Sequence, residues 1–402
     1  MLQLFRLKCK LIILLILSIV ILTGKGSLYL TPIEEVSVSY LFSLSDWEAQ
    51  NIFNKWLHVV KVKFNTPNDL VDDNHNLVYD YLDILNAEQN IITHTQDRSN
   101  FYEDELLIDR NVKHIRDSLE WILEEKLSEV LVEEDIGYLQ PFGIAKIHFP
   151  PVDIRIQSPP KLLVVSPRNR IDLIETVLLK SDMNVDEIES LEDVLFQKFD
   201  LSVLILDLGG IATYPSLLPQ GKSLESLLIV AAHEWLHHYI FFKPLGRKYW
   251  SDSNMTVINE TLASMFGEDI GHKVYEKFQT PIISIDKGKR SNVVDGFDFR
   301  KELNQTRRGV DEFLSEGEPR LAELYMEERR RFINNNGYYI RKLNQAYFAF
   351  NGTYADHPGS VSPIGSQLKQ IKDSSDSLSD FVNKVSQVSD YEEFLHLVDD
   401  QG

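Results

Sequence analysis

The sequence predicts an α+β fold: a mixed sheet followed by two long apolar helices, flanked by mainly helical N- and C-terminal regions. Three observations predict it. Apolar residues recur at helical spacing over residues 45–137 and again beyond Phe278. Between them lie short β-branched runs divided by Pro150-Pro151 and Pro159-Pro160, the punctuation of strands and turns. Two apolar helical runs then follow, 224–242 and 256–278. The expected division is an N-terminal segment 1–30, a helical region 31–140, a central domain 141–285 and a helical region 286–402.

Each element follows from its pattern. Trp47, Ile52, Phe53, Trp56, Val59 and Val60 fall on one side of a first helix, and Ile115, Leu119, Ile122, Leu123 and Leu127 on one side of a later one. The polar stretch between them, rich in Asn and Asp, holds more helix. Residues 143–149, 152–157 and 162–165 read as strands, 171–179 and 185–199 as helices. Residues 201–212 read as a further strand with Gly209-Gly210 near its end. Beyond Phe278, residues 311–332 form a long charged helix with Leu314, Leu321, Leu324 and Tyr325 facing inward. A helix over 338–350 contains Leu343, Ala346, Tyr347 and Ala349; a Gly-, Pro- and Ser-rich loop spans 351–365, and a last helix 377–396.

Composition narrows the function classes. Hydrophobic residues make up 43% and charged residues 25% of the 402, as in an ordinary globular protein. A formal charge of −20 argues against nucleic acid as a partner, because nothing here would neutralise phosphates. The single cysteine, Cys9, permits no intrachain disulfide. Arg6, Lys8 and Lys10 precede the apolar run 11–23, the pattern of a secretory signal. That run is shorter than the roughly 20 residues that span a bilayer, but the mostly apolar residues 24–30 extend it. No small-x-small cleavage site stands out. The expectation is an uncleaved transmembrane signal-anchor with the body outside the cytoplasm, or a secreted protein if the segment is removed.

The helix over 224–242 is apolar on most sides, and its polar interior cluster is His233, Glu234, His237 and His238. Residues four apart share a helix face, so His233 and His237 can point at one ion. Glu234 stands one step round, where a carboxylate acts as base on water beside a metal. Burying these groups without a partner costs several kcal/mol, so a compensating partner is expected. A third ligand can come from the second helix: Glu260 lies 23 positions after His237, with Asp252, Glu268, Asp269 and His272 as alternatives. Glu268 is also a candidate to orient an imidazole from behind. Asn259 opens the helix or lines the site, and His238 points about 100° away from His237.

With His233-Glu234-Trp235-Leu236-His237 followed by Asn259-Glu260, the chain resembles the gluzincin metallopeptidases, the group containing thermolysin and the membrane alanine aminopeptidases. The resemblance covers residues 201–271. It implies a zincin-like catalytic domain over 141–285, with one Zn2+ ion held by His233, His237 and Glu260. It implies Glu234 as catalytic base, and a peptide or protein substrate whose backbone pairs with an edge strand over 203–213. A Tyr or His donor to the oxyanion is implied downstream. There, Asn344 to His357 resembles the closing helix and loop of a family of predicted bacterial aminopeptidases, which makes Tyr354 the first choice and His357 the second. The Gly-x-Met-Glu-Asn signature of the membrane alanine aminopeptidases is absent; the strand reads Gly209-Gly210-Ile211-Ala212-Thr213-Tyr214. Exopeptidase action therefore does not follow. Two rival readings are a zinc amidase of non-peptidase type and a non-catalytic binding protein with a structural metal, which would need four protein ligands.

Overall fold

The computed structural model describes residues 29–48, 78, 102–139, 147–278, 297–355 and 357–400. Before the first strand come α1 (Pro32–Val36), a short 3-10 turn (Val38–Tyr40) and α2 (Tyr102–Glu133), with residues 44–48 and 78 also helical; strands β1 (Tyr138–Leu139), β2 (Ile147–His148), β3 (Ile154–Ile156), β4 (Lys161–Pro167) and β5 (Glu175–Leu179) follow. Helix α3 (Val185–Phe199), strands β6 (Leu201–Asp207) and β7 (Ser216–Leu218), and helices α4 (Leu224–Ile240), α5 (Pro244–Arg247) and α6 (Ser253–Phe278) follow. The chain continues through α7 (Phe299–Ser315), α8 (Pro319–Asn335), α9 (Gln345–Asn351), α10 (Ile364–Asp373), α11 (Leu378–Ser386) and α12 (Tyr391–Asp399).

The class is α+β, but the expected single mixed sheet is three small ones. β5-β4-β6 form an antiparallel sheet, β3 and β7 a parallel pair, and β1 and β2 an antiparallel pair. β4 reads as a continuous apolar run because both its faces are covered. Leu163 and Val165 pack with Val177, Val203 and Ile205 against Leu191 and Leu195 of α3. Leu162 and Val164 meet Ala346 of α9 on the other side.

Residues 171–179, expected as a helix, instead end in β5, which pairs with β4 from Lys161↔Leu179 to Val165↔Glu175. Cross-strand pairing overrides the helical spacing of Ile171, Ile174 and Leu178. The long helix expected over 311–332 is two helices, broken at Glu316-Gly317-Glu318, with Pro319 opening α8. The restart changes the inward face: Leu321 and Leu324 are exposed, and Ala322, Met326 and Ile333 are buried. The helix over 338–350 forms only from Gln345, where Asn344 accepts the Tyr347 N–H. The last helix divides at Asp390, which caps α12.

The structure also corrects the expected membrane anchor. Among the described residues no helix is long and apolar enough to cross a membrane. Residues 1–28, on which the anchor and the localisation were placed, lie outside the described residues, as do Ile52, Phe53, Trp56, Val59 and Val60.

The borders of β6 and β3 are covered, and that of β5 is capped at its Leu178 end. The outer edge of β6 meets side chains: Glu192 accepts the Ile205 N–H at 2.7 Å, Arg341 donates to the Ile205 carbonyl at 2.8 Å, and Asn344 donates to the Val203 carbonyl at 2.8 Å. α2 treats β3 alike, with Glu124 and Glu120 accepting the Ile154 and Ile156 N–H groups at 2.9 and 2.8 Å. At β5, Phe42 donates to the Leu178 carbonyl at 2.9 Å. Unpaired strand borders invite other chains, and those of β6 and β3 are closed.

The helix pair α4 and α6 sits in the largest core, which also takes Leu119, Leu123 and Leu127 of α2, Ile364 and Leu368 of α10, Phe381 of α11 and Phe394 of α12. The expected boundary near residue 285 therefore does not separate two cores. Close approach of α4 and α6 depends on Gly271, where a Cβ would lie 2.6 Å from the Ile229 Cα and 2.7 Å from its backbone nitrogen. Backbone atoms cannot rotate away. Gly271→Ala should lower stability by about 2 kcal/mol through overpacking, read as the midpoint of chemical unfolding. An unchanged midpoint would mean that the helices can part freely.

Candidate metal centre

α4 starts where Ser223 accepts the Ser226 N–H. It is buried along Leu227, Leu228, Ala231, Ala232 and Trp235, and the Trp235 indole donates to the Pro150 carbonyl at 2.9 Å. This rigid seating turns one polar stripe, His233, Glu234 and His237, toward α6. The ligand atoms of those three residues all lie within 4.8 Å of one another.

Glu260 comes closer to the imidazoles than that limit. The Nε2 atoms of His233 and His237 are 3.1 Å apart, and the Glu260 Oε2 is 3.5 Å from the first and 3.6 Å from the second. Tetrahedral zinc with bonds of about 2.0–2.1 Å sets its ligand atoms roughly 3.3–3.4 Å apart. The triangle fits such an ion, with Glu260 as third ligand and Glu234 as the carboxylate beside the set. Of the alternatives for that place, Asp269 pairs with Lys372 at 2.6 Å and His272 with Glu225 at 3.3 Å. Asp252 accepts the Asn254 N–H at 2.6 Å.

Two further residues fix this triangle. Asn259 Oδ1 lies 3.0 Å from His237 Nδ1; as acceptor it holds the proton on Nδ1 and leaves the Nε2 lone pair for a cation. The Tyr249 hydroxyl donates to Glu260 Oε1, which leaves Oε2 for the centre. Thr256 anchors Tyr249 in turn, donating to its carbonyl at 2.6 Å. Tyr249 is absent from the sequence expectations; its only signal is its place in the short link that must pass the ligands between α4 and α6. Glu268, expected behind an imidazole, is exposed to solvent instead: Gly267 and Gly271 of that turn pack on α4, and Glu268 stands on its outer side.

The electrostatics follow from burial and mutual charge. Burial opposes the Glu260 anion, but the two imidazoles outweigh it and hold its carboxyl well below the usual range. Burial alone would lower His237, yet the Glu260 carboxylate raises it to about 9. Glu234 is shifted up, chiefly by burial, against the pull of His233 and His237. A fully ionised Glu260 and a more basic Glu234 are the two states that a ligand and a base require. His238 stands apart: burial and the neighbouring His237 push it down to about 4, and its ring meets Tyr214 edge-on at 5.6 Å.

Tyr354 reaches the centre and His357 does not. The Tyr354 ring lies 6.4 Å from that of His233, and its hydroxyl is held protonated by burial and by the charges of Glu260 and Glu234. His357 faces a separate surface hollow with Arg300 and Arg308. Its Nδ1 accepts the Gly359 N–H at 3.0 Å, and burial with Arg300 pushes it down to about 4. The turn after Tyr354 carries His357 off the site.

The triangle lies in a cleft of about 1630 Å³ whose walls come from β5, the segment after β6, the α4–α6 link and residues 348–354. Gly210 covers Glu234 so closely that a Cβ there would lie 2.5 Å from Glu234 Oε1. The strand expected over 203–213 ends at Asp207, and its border is sealed, so it cannot take up a substrate strand. Residues 208–210 make no backbone hydrogen bond among the described residues, whereas Ile211 exchanges two with Leu217, at 3.2 and 3.1 Å. Leu208 and Gly210 line the cleft, so free backbone there lies beside Glu234. No protein-family model matches the chain, and neither a curated protein nor a solved structure matches it.

Proposed function

We propose that this chain is a zinc-dependent peptidase of the gluzincin type, with a zincin-like arrangement of its sheet and helix pair. The observation that carries the reading is the triangle of His233, His237 and Glu260 at 3.1–3.6 Å with Glu234 beside it. Zinc held there supplies Lewis acidity, making a water more acidic and polarising a carbonyl. Glu234 accepts the proton from the attacking water and returns it to the leaving amine nitrogen. Burial shifts its carboxyl up, which makes it a better proton acceptor than an exposed glutamate.

Tyr354 stays protonated and donates to the carbonyl oxygen as charge builds on it. Asn259 and Tyr249 keep the imidazole and the carboxylate aimed. The free backbone of Leu208–Gly210 offers the peptide a short edge to pair with.

The test is metal content. Purified protein should bind about one zinc per chain, and His233→Ala should bind it at least about a hundredfold more weakly. Zinc uptake should release a proton, because a cation takes the place of the one that Glu260 keeps on His237. Equal zinc affinity in His233→Ala would end the reading.

A further inference from the structure

Arg307 of α7 presents a guanidinium that is only half engaged. Its Nε donates to both carboxylate oxygens of Asp311, at 3.1 and 3.0 Å. Neither Nη group has a hydrogen-bond partner among the described residues. The side chain is 14% exposed and lines the same cleft as His233, Glu234 and Glu260. Its planar head lies 5.7 Å from the centre of the Phe348 ring. A Cβ on Gly352 would stand 3.9 Å from Nη1, two residues before Tyr354.

We propose that Arg307 determines specificity by binding a carboxylate of the substrate, so that the preferred peptides are those with a free C-terminus or an Asp or Glu side chain. This rests on the peptidase reading above. The physical case has three parts. Asp311 and Phe348 hold the guanidinium plane in advance, so little side-chain entropy is lost when its free edge is used. Two Nη groups on one edge match the two oxygens of a carboxylate. Asp311 is 43% exposed, so solvent screens it and the guanidinium keeps charge toward the cleft.

The neighbouring charges sharpen the choice. Asp172, Glu175 and Asp252 also line the cleft, and its other cation, Arg247, is exposed. Those acidic side chains repel a carboxylate along their part of the cleft wall, and the half-buried cation next to Gly352 accepts one. A peptide so held lies along residues 352–354, with a bond brought toward the centre.

The experiment uses zinc-loaded protein and a random peptide pool made in three forms: free acids, C-terminal amides, and amides in which Glu and Asp are replaced by Gln and Asn. Native protein should cleave acid-bearing peptides at least tenfold better in kcat/KM than their neutral counterparts. Arg307→Gln should erase that preference, chiefly by raising KM for the acid-bearing peptides toward that for the neutral ones, with Arg307→Lys intermediate. Preference retained by the free acids alone assigns the C-terminus; preference retained by internal acids assigns the side chain. Equal cleavage of acid and neutral peptides by native protein would overturn the proposal, as would an equal loss on both in Arg307→Gln. If no peptide is cleaved, the peptidase reading fails by itself. Binding of the same acid and amide pairs to Glu234→Gln still reads Arg307, and equal affinity for both would then sink it.

Discussion

Glu234→Gln should keep the bound zinc and the fold while lowering peptide hydrolysis by about a thousandfold, within the 10²–10⁴ that a positioned base contributes. The variant keeps shape and volume, so Gly210 still covers the group and Val230 still packs nearby. Glu234 is not needed for the triangle, whose three edges join His233, His237 and Glu260. What disappears is the site that takes a proton. A loss confined to kcat, with zinc content unchanged, would assign the base. Full activity in the variant would remove Glu234 from the mechanism, and loss of the zinc would make it a ligand.

The second large effect concerns stability. Glu192 is buried on α3, and besides the Ile205 N–H it accepts from Arg341 at 2.6 and 3.1 Å and from Lys342 at 2.9 Å. Burial opposes its charge, but Arg341 and Lys342 outweigh that and hold the carboxyl below its usual value. Glu192→Ala leaves the Ile205 N–H without its acceptor and takes the carboxylate from two cations, and should lower stability by about 3 kcal/mol. The sign with pH is fixed: a carboxyl held low in the folded state stabilises above its unfolded pKa of about 4.3, and that contribution fades as pH falls below it. The gap between native protein and Glu192→Ala in urea unfolding should therefore be full at pH 7 and shrink toward pH 3. A gap that stays constant with pH would show that packing, not charge, is what the substitution removes.

Much of the centre was legible because its parts are local. Helix spacing aligns His233 with His237 whatever surrounds them. α3 was bounded as expected at Val185 and Phe199, and α6 to within a few residues of Thr256. What was illegible depends on distant partners. Residues 171–179 have helical spacing yet become β5 because β4 lies alongside. Leu321 and Leu324 look inward only if α7 and α8 are one helix. Tyr249 is an ordinary loop tyrosine until Glu260 folds against it. The sealed border of β6 required Arg341 and Asn344 to come from far down the chain, and periodicity carries no such information.

Ile364, Leu368, Phe381 and Phe394 share the core of the α4–α6 pair. The two helices that carry His233, Glu234, His237 and Glu260 are thus roofed by α10, α11 and α12. A shortened version stopping after α6 would bare an oily flank just where the histidines need a fixed bed. The cluster cannot be excised as a miniature, and damage to α10, α11 or α12 should be felt at the cleft.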